Sequence, residues 1–301
     1  MNFSDDNRLP NLSAADTRWL VKEVRQLFRK KGFGTTVING VALRLEDGSV
    51  IGLENLACTV WRLPRRKWRR EAQEQFDTLL AHRPTADTRF APADLRPKLC
   101  PRGTFPYGPT YDVLEPLPGI DAILSAQGDG ATSILGTLDQ LDVDRDTAYD
   151  IALRNLASLP LPRHSRRLAD NDLPNTPIEY FTSSDACTAA RVMLLPELFR
   201  RILHRPIPDS GVLVAVPTKH DLWVHIPTDP MSLTETLTRL LGQSALTYSE
   251  GPYPISPDIF LVSPDMHARK LSTADPEGVD LHMGVLTDLI AALEAPEERA
   301  S

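Results

Sequence analysis

The segments GVLVAV at 211–216 and LWVHI at 222–226 decide the fold class of this chain. The first is a short, continuously apolar run, which is typical of a fully buried strand. The second is equally apolar, and the short polar turn between them predicts antiparallel pairing. The two segments therefore predict a buried hairpin.

Helical patterns lie on both sides of this hairpin. Ala186–Leu203 has apolar residues at helical spacing, with a break or restart at Pro196. After the hairpin, Ser232 and Glu235 form a capping box for a helix that we expect to end at Leu241, before a glycine. This order is α-β-β-α. Other strands and helices are expected at Ile120–Ser125, Thr132–Leu138, Asp146–Ser158 (capped by Asp146), Ile178–Thr182, Ile259–Val262 and Leu281–Leu293, and a polar loop at 163–177.

The N-terminal part of the chain predicts the same order of elements. A helix from Ser13 to Lys31 is followed by strands at 41–45 and 50–53, joined through an Asp-Gly turn, and by a helix at 65–80. The fold class is therefore α+β, with two α-β-β-α type units and mixed, mainly antiparallel sheets. The repeated order is open to two explanations, an ancient duplication or chance.

A proline-rich segment joins the two units. Residues 84–118 contain eight prolines, and proline fixes φ and removes a backbone donor, so we expect no long helix or central strand there. The predicted organisation is an N-terminal unit at 1–83, a connector at 84–118, a C-terminal α+β domain at 119–295 and an acidic tail at 296–301.

The composition indicates a folded globular protein and disfavours some classes of partner. A chain of 301 residues with 42% hydrophobic and 24% charged residues is typical of a folded globular protein. The net charge of −7 disfavours coating of nucleic acid or of anionic membranes. Three widely spaced cysteines, no secretory signal and no run of apolar residues long enough for a bilayer predict a cytoplasmic protein with no membrane partner.

A basic, tryptophan-bearing segment is the most unusual local feature. It is WRLPRRKWRR at 61–70, with six cations and two tryptophans. Guanidinium groups bind phosphates and indoles stack on bases, so the segment is a candidate binding surface for a protein or polyanion partner. The alternative is a solvated helix face with Trp68 in the core. The candidate binding residues are Trp61, Arg62, Arg65, Arg66, Lys67, Arg69 and Arg70.

The remaining motifs predict no cofactor and no metal. The acidic run at 142–146 lacks the glycine and the final glutamate of a calcium loop. His220 and His225 are five residues apart, which places them on opposite faces of a strand. Cys187 follows Asp185 at a helix start, where a thiolate would be favoured, but its apolar neighbours favour a packed core thiol.

Four stretches of the chain resemble the YtpQ-like family of uncharacterised bacterial proteins. They are IGLENL at 51–56, LRPKL at 95–99, AYDIALRNL at 148–156, and a late block from Thr182 through VAVPTKHD at 214–221. The late block departs from the family pattern by substitution and one extra residue at Thr218–Asp221. The resemblance implies an intracellular protein with no assigned activity.

The absence of any linear catalytic signature leads us to expect a non-catalytic binding or interaction protein that uses the basic segment. One alternative is an enzyme whose polar residues converge only in three dimensions, near Asp185, Lys219, His220 and Asp221. A second alternative is a nucleic-acid-associated factor that uses Arg62–Arg70.

Overall fold

The computed structural model describes residues 9, 11–38, 40, 42–46, 50–81, 90–104, 111–127, 132–139, 141–167, 177–183, 185, 187–275 and 278–295. Of these residues 43% are helical and 27% lie in strands, and every strand pairing among them is antiparallel. The predicted α+β class is confirmed. The chain divides into two compact units. One comprises Met1–Thr85, Gly128–Ala131 and Ser249–Tyr253, and the other comprises Ala86–Gln127, Thr132–Tyr248 and Pro254–Ser301.

The first unit packs three helices with a small antiparallel sheet. Its elements are α1 (Ala14–Lys30), β1 (Thr35–Ile38), β2 (Ala42–Leu45), β3 (Val50–Gly52), α2 (Glu54–Trp61) and α3 (Trp68–Ala81), with a 3₁₀ turn at Arg65–Lys67. The sheet order is β1-β2-β3. As predicted, Ser13 caps α1, because its hydroxyl accepts from the Asp16 amide at 3.1 Å.

The predicted α-β-β-α order of this unit is incomplete. The structure adds strand β1 and helix α2, neither of which the sequence pattern indicated. The sequence of β1 shows only a weak apolar pattern, because its four residues are all exposed or half-buried. The Asp-Gly turn predicted at 47–48 lies outside the described residues.

The second unit contains the remaining elements, except that Ser249 and Glu250, the last two residues of the helix Pro230–Glu250, belong to the first unit. They are β4 (Leu95–Pro101), β5 (Leu114–Leu117), β6 (Ile120–Gln127), β7 (Thr132–Ile134), α4 (Arg145–Ser158), β8 (Arg163–Arg167), β9 (Ile178–Thr182), α5 (Leu195–Leu198), β10 (Val212–Ala215), β11 (Asp221–His225), α6 (Pro230–Glu250), β12 (Ile259–Val262), β13 (Ala268–Lys270), β14 (Ser272–Asp275), β15 (Gly278–Leu281) and α7 (Met283–Glu294). A 3₁₀ helix at Ala189–Leu194 leads into α5, and a π-helix at Phe199–Leu203 follows it.

The predicted hairpin lies at the centre of a six-stranded sheet with the order β13-β12-β10-β11-β9-β8. Its two faces bury alternate residues, as the pleat requires. On one face Val214 and Leu222 pack with the helical segment around Leu195 and Phe199. The opposite face packs against α6 and α7 through a second cluster of buried residues, Leu213, Ala215, Trp223, Leu237 and Leu289.

A four-stranded sheet completes this unit, with β6 paired to β4, β5 and β7. Strands β4 and β5 come from the proline-rich segment. Pro97 is tolerated because β4 lies at a sheet edge, and Pro116 falls where the register of β5 shifts. Residues of this segment thus contribute to a sheet as well as to a connection.

Four predictions about secondary structure in this unit are wrong. The segment expected to be a loop contains β8, whose polar residues pair with β9 at the edge of the large sheet. Helix α4 is capped by Asp144, which accepts from the Thr147 amide at 2.8 Å, and not by Asp146. Helix α6 is capped by Asp229, which accepts from the Ser232 amide at 2.9 Å, and continues past Leu241 to Glu250.

Helix α6 continues because its packing outweighs the helix-breaking tendency of Gly242. A glycine inside a helix costs about 1 kcal/mol relative to alanine. The apolar stripe of α6, which includes Leu233, Leu237 and Leu240, is buried on the sheet and stabilises the helix by more than this. Strands β13, β14 and β15 were not predicted, because they are short and largely half-buried or exposed.

Among the described residues, no helix combines the length and the apolar character that crossing a bilayer requires.

Candidate functional site

The turn between β10 and β11 positions two of the residues that the sequence singled out. The Asp221 amide donates to the Thr218 carbonyl at 3.2 Å, which closes a four-residue turn. The Thr218 hydroxyl donates to the Asp221 carboxylate at 2.5 Å and accepts from the His220 amide at 3.2 Å. Lys219 and His220 therefore occupy the two corner positions of a turn fixed by its own side chains.

This turn is anchored to the segment that follows β9. The Ala189 amide donates to the Lys219 carbonyl at 3.1 Å, and His220 Nδ1 lies 3.1 Å from the Asp185 carbonyl. Because a carbonyl oxygen only accepts, Nδ1 carries the proton in this contact. Two chain segments that are distant in sequence are thereby joined around Lys219.

The Asp185 side chain fixes the segment that follows β9 through a hydrogen bond and an ion pair. Its carboxylate accepts from the Cys187 amide at 2.9 Å and forms an ion pair with Arg191, also at 2.9 Å. Arg191 is buried and donates to the Pro160 carbonyl at 3.0 Å. Asp185 is thus a structural partner of Arg191.

Two half-buried lysines interact electrostatically at this place. Burial and the neighbouring charge of Lys98 lower the pKa of Lys219 from 10.5 to about 8. Burial also lowers the pKa of Lys98, which lies in the middle of β4, while the thiols of Cys100 and Cys187 act in the opposite direction. The strand β4 and the β10–β11 turn therefore bring two ammonium groups towards one another.

The cysteines beside these lysines are inert. Burial raises the pKa of Cys187 to about 11, with a further contribution from Asp185, and burial raises the pKa of Cys100 to about 12. Both residues are protonated at neutral pH. This supports the interpretation of Cys187 as a packed core thiol.

Positive charge exceeds negative charge around Cys187. The described groups that interact with its thiol are four cations, Arg96, Lys98, Arg191 and Lys219, and one carboxylate, Asp185, which Arg191 already binds. Asp121 lies opposite Cys100 on β6, but Arg102 binds it at 3.3 Å. His220 adds no positive charge at neutral pH, because burial and Lys219 lower its pKa. We call Arg96, Lys98, Arg191 and Lys219 the cation cluster.

Two nitrogen atoms of the cation cluster lack partners. Arg96 Nη1 donates to the carbonyls of Ala93 and Leu95, at 2.7 and 2.6 Å, but Arg96 Nε is buried without a hydrogen bond. Arg191 Nε is also buried and unsatisfied. Unpaired buried donors are rare in folded proteins, so the cluster has unused capacity to bind an acceptor.

The structure therefore brings together Asp185, Lys219 and His220, while Asp221 directs its carboxylate to Thr218. The sequence did not indicate that Arg96, Lys98 and Arg191 belong to the same place. The signal available for Lys98 was a pair of charged residues, Arg96 and Lys98, in a strand whose other residues are apolar.

The basic segment at 61–70 shows a different arrangement, in which several cations are neutralised within the first unit. The Arg65 guanidinium lies 4.1 Å from the ring centre of Trp19 and 4.0 Å from that of Trp68, and it pairs with Asp16 at 2.7 Å. Trp68 is buried and donates from Nε1 to the Leu63 carbonyl at 2.9 Å. Arg65 is therefore part of the packing of this unit.

Other arginines of the basic segment also have partners in the same unit. Arg69 binds buried Glu23 through two hydrogen bonds of 2.6 and 2.9 Å, and Arg70 pairs with Glu74 at 3.1 Å. Arg62 donates to the carbonyl of Glu250 at 2.5 Å.

Within the described part of the chain, three exposed side chains of the basic segment have no ion-pair or cation–π partner of the kind that Arg65, Arg69 and Arg70 have. Arg66 and Lys67 are exposed and form no ion pair within the described part of the chain, and Trp61 is 43% exposed. A protein or polyanion partner at this segment stays a prediction, and it now depends on these three side chains.

Within the described ranges, no three histidine, cysteine, aspartate or glutamate side chains lie close enough together to hold a metal ion.

Comparison with protein-family models, curated proteins and solved structures finds no match to this chain. The resemblance to the YtpQ-like family consequently stays a prediction.

Proposed function

We propose that this protein binds a compact anion, such as a carboxylate or a tetrahedral oxyanion, at Lys98 and Lys219. The proposal keeps the expectation of a binding protein and places its site at the cation cluster. The observation that carries it is that half-buried Lys98 of β4 and half-buried Lys219 of the β10–β11 turn interact electrostatically, beside Arg96 and Arg191.

Charge balance supports this assignment. Among the described residues, no carboxylate forms an ion pair with the Lys98 ammonium, and the Asp185 carboxylate that interacts with the Cys187 thiol is bound to Arg191. Half-buried charges of one sign destabilise a fold unless a counter-charge accompanies them. A bound anion supplies that counter-charge and offers acceptors to lysine ammonium groups and arginine Nε donors.

The architecture supports a preformed site. Lys219 projects from a turn whose conformation is fixed by Thr218 and Asp221 and whose backbone is tied to Ala189. Lys98 lies in a strand paired over its whole length with β6. Binding at such a site requires little ordering of the backbone, which favours affinity for a small ligand.

Calorimetric titration tests the proposal directly. Sulfate and malonate are titrated separately into the wild-type protein at pH 7 and constant ionic strength. We expect one site, and we expect Lys98→Met and Lys219→Met each to weaken binding about 10- to 100-fold, because a charge-assisted hydrogen bond contributes about 1.5–3 kcal/mol.

Lys22→Met is the matched control, since Lys22 is an exposed lysine of the other unit and lies outside the basic segment. Its affinity for either anion should equal that of the wild type. The proposal is wrong if neither anion binds at millimolar concentration, or if Lys22→Met weakens binding as much as the two site variants.

A further inference from the structure

A cavity lies in the second unit, lined by residues of α5, of the π-helix and turn that follow it, and of the segment after β12. It has a volume of about 640 Å³, which is within the range of small-molecule sites. Its walls combine basic and apolar side chains. They are Pro196, Arg200, His204, Arg205, Pro206, Ile207 and Pro264.

The basic side chains of this cavity have no acidic partner in the described part of the chain. Arg200 and Arg205 are exposed and form no ion pair there, and His204 lies between them in sequence. Arg201, which does not line the cavity, binds Glu197 at 2.8 Å. The arginines that face the cavity are thus the ones whose guanidinium groups remain open to an outside ligand.

The backbone around these residues has an uncommon conformation. The π-helix Phe199–Leu203 ends at His204, which has a left-handed φ of 54°, and the Arg205 amide donates to the Phe199 carbonyl at 3.4 Å. Single π-helical turns and left-handed non-glycine residues cost conformational energy and cluster at functional sites. Here they place Arg200, His204 and Arg205 around one opening.

The other walls are rigid and apolar. Pro196, Pro206 and Pro264 have fixed φ angles, and Ile207 is buried. Asp265, the residue after Pro264, uses its carboxylate on the Ser263 hydroxyl and on the His267 amide, so it does not neutralise the arginines. The cavity therefore offers apolar proline and isoleucine surface beside two guanidinium groups.

We propose that this cavity binds an organic phosphate with a planar body, of the nucleoside monophosphate class. Guanidinium groups bind phosphate oxygens in pairs, which explains the role of Arg200 and Arg205. The proline and isoleucine surfaces cover the planar, weakly polar face of a base. The volume accommodates a ligand of this size.

The experiment uses adenosine 5′-monophosphate as the probe, with binding followed by calorimetry on the full chain. We expect the double variant Arg200→Ala/Arg205→Ala to weaken binding more than tenfold. Arg201→Ala is the matched control, because this neighbouring arginine does not line the cavity, and it should change affinity less than twofold. Circular dichroism verifies that each variant is folded.

Two further probes separate the phosphate from the planar body. Adenosine and ribose 5-phosphate should each bind at least fivefold more weakly than adenosine 5′-monophosphate. The titrations are repeated in a Lys98→Met background, where the anion site of the cation cluster is weakened, and nucleotide binding should still depend there on Arg200 and Arg205, which separates this cavity from the cation cluster. The inference is overturned if the nucleotide does not bind at millimolar concentration, if Arg201→Ala equals the double variant, or if ribose 5-phosphate binds as tightly as the nucleotide.

Discussion

Replacement of Lys219 by methionine should stabilise the ligand-free protein at neutral pH. In the folded protein the pKa of Lys219 falls from 10.5 to about 8, because the charged form is buried and is repelled by Lys98. One pKa unit corresponds to about 1.4 kcal/mol, so the charged side chain costs about 3.5 kcal/mol at most. The side chain is only half-buried, and solvent screening reduces this to about 1–2 kcal/mol.

The sign of the pH dependence follows from the direction of the shift. Between pH 8 and 10.5 the unfolded wild type holds a proton on Lys219 that the folded protein has lost, so wild-type stability rises with pH in this window. The advantage of Lys219→Met is therefore complete below pH 8 and disappears as pH rises towards 10.5.

The assay is thermal unfolding at pH 7 and at pH 10 in a buffer without multivalent anions. At pH 7 the variant should melt about 3–6 °C above the wild type, and the difference should shrink at pH 10. Lys270→Met is the control, since Lys270 pairs with buried Asp258 at 2.7 Å and its removal should lower stability at pH 7. A variant less stable than the wild type at pH 7, or an advantage equal at both pH values, would refute the reasoning.

Three more predictions concern the second unit. Asp144→Ala should lower the free energy of unfolding, measured in urea, by about 1 kcal/mol, because it removes the cap of α4. Asp146→Ala is the control and should change it by less than about 0.5 kcal/mol. Equal effects of the two substitutions would contradict the assignment of the cap. Burial lowers the pKa of His225, so the unfolded state takes up a proton at this residue first, and wild-type stability should fall as pH drops below about 6.5. His225→Leu should reduce this fall in melting scans from pH 7.5 to 5. The same dependence of melting temperature on pH in both proteins would contradict the role of His225. Glu179→Ala should lower the free energy of unfolding by about 2–4 kcal/mol in chemical denaturation. Buried Glu179 accepts a hydrogen bond from Arg166 at 2.8 Å, and loss of its side chain also leaves a cavity. A decrease below about 1 kcal/mol would show that this pair contributes little to stability.

The elements predicted correctly from the sequence are those whose signals are local. Helix α1 has its cap, its apolar stripe and its terminal cations within one segment, and the hairpin β10–β11 has two buried runs and one turn. Such signals do not depend on what the rest of the chain does.

The elements that were missed depend on their neighbours. Strand β8 has the sequence RHSRR, with no apolar alternation, and it forms because β9 offers a free edge and Glu179 binds His164 and Arg166. Helix α6 passes Gly242 because the sheet buries its apolar face. Tertiary packing decides both cases, and local propensity does not report it.

Only part of the candidate site was predicted, because its residues come from segments that are distant in sequence. Asp185, Lys219 and His220 are close to the hairpin in sequence, so a polar group at its turn was visible. Lys98 and Arg96 come from a strand of the other sheet in this unit, and only the folded chain brings them to Cys187. Sequence spacing also could not show that Arg65 and Arg69 of the basic segment are bound within their own unit.

Proton uptake on binding of sulfate at pH 8 tests the anion site most directly. Sulfate does not titrate near this pH, and free Lys219 is about half deprotonated there. A bound dianion restores its charged form, so calorimetry in two buffers of different ionisation enthalpy should give an uptake of about 0.5 proton per sulfate, and none in Lys219→Met. Binding without proton uptake, or the same uptake in the variant, would contradict the assignment of Lys219 to an anion site.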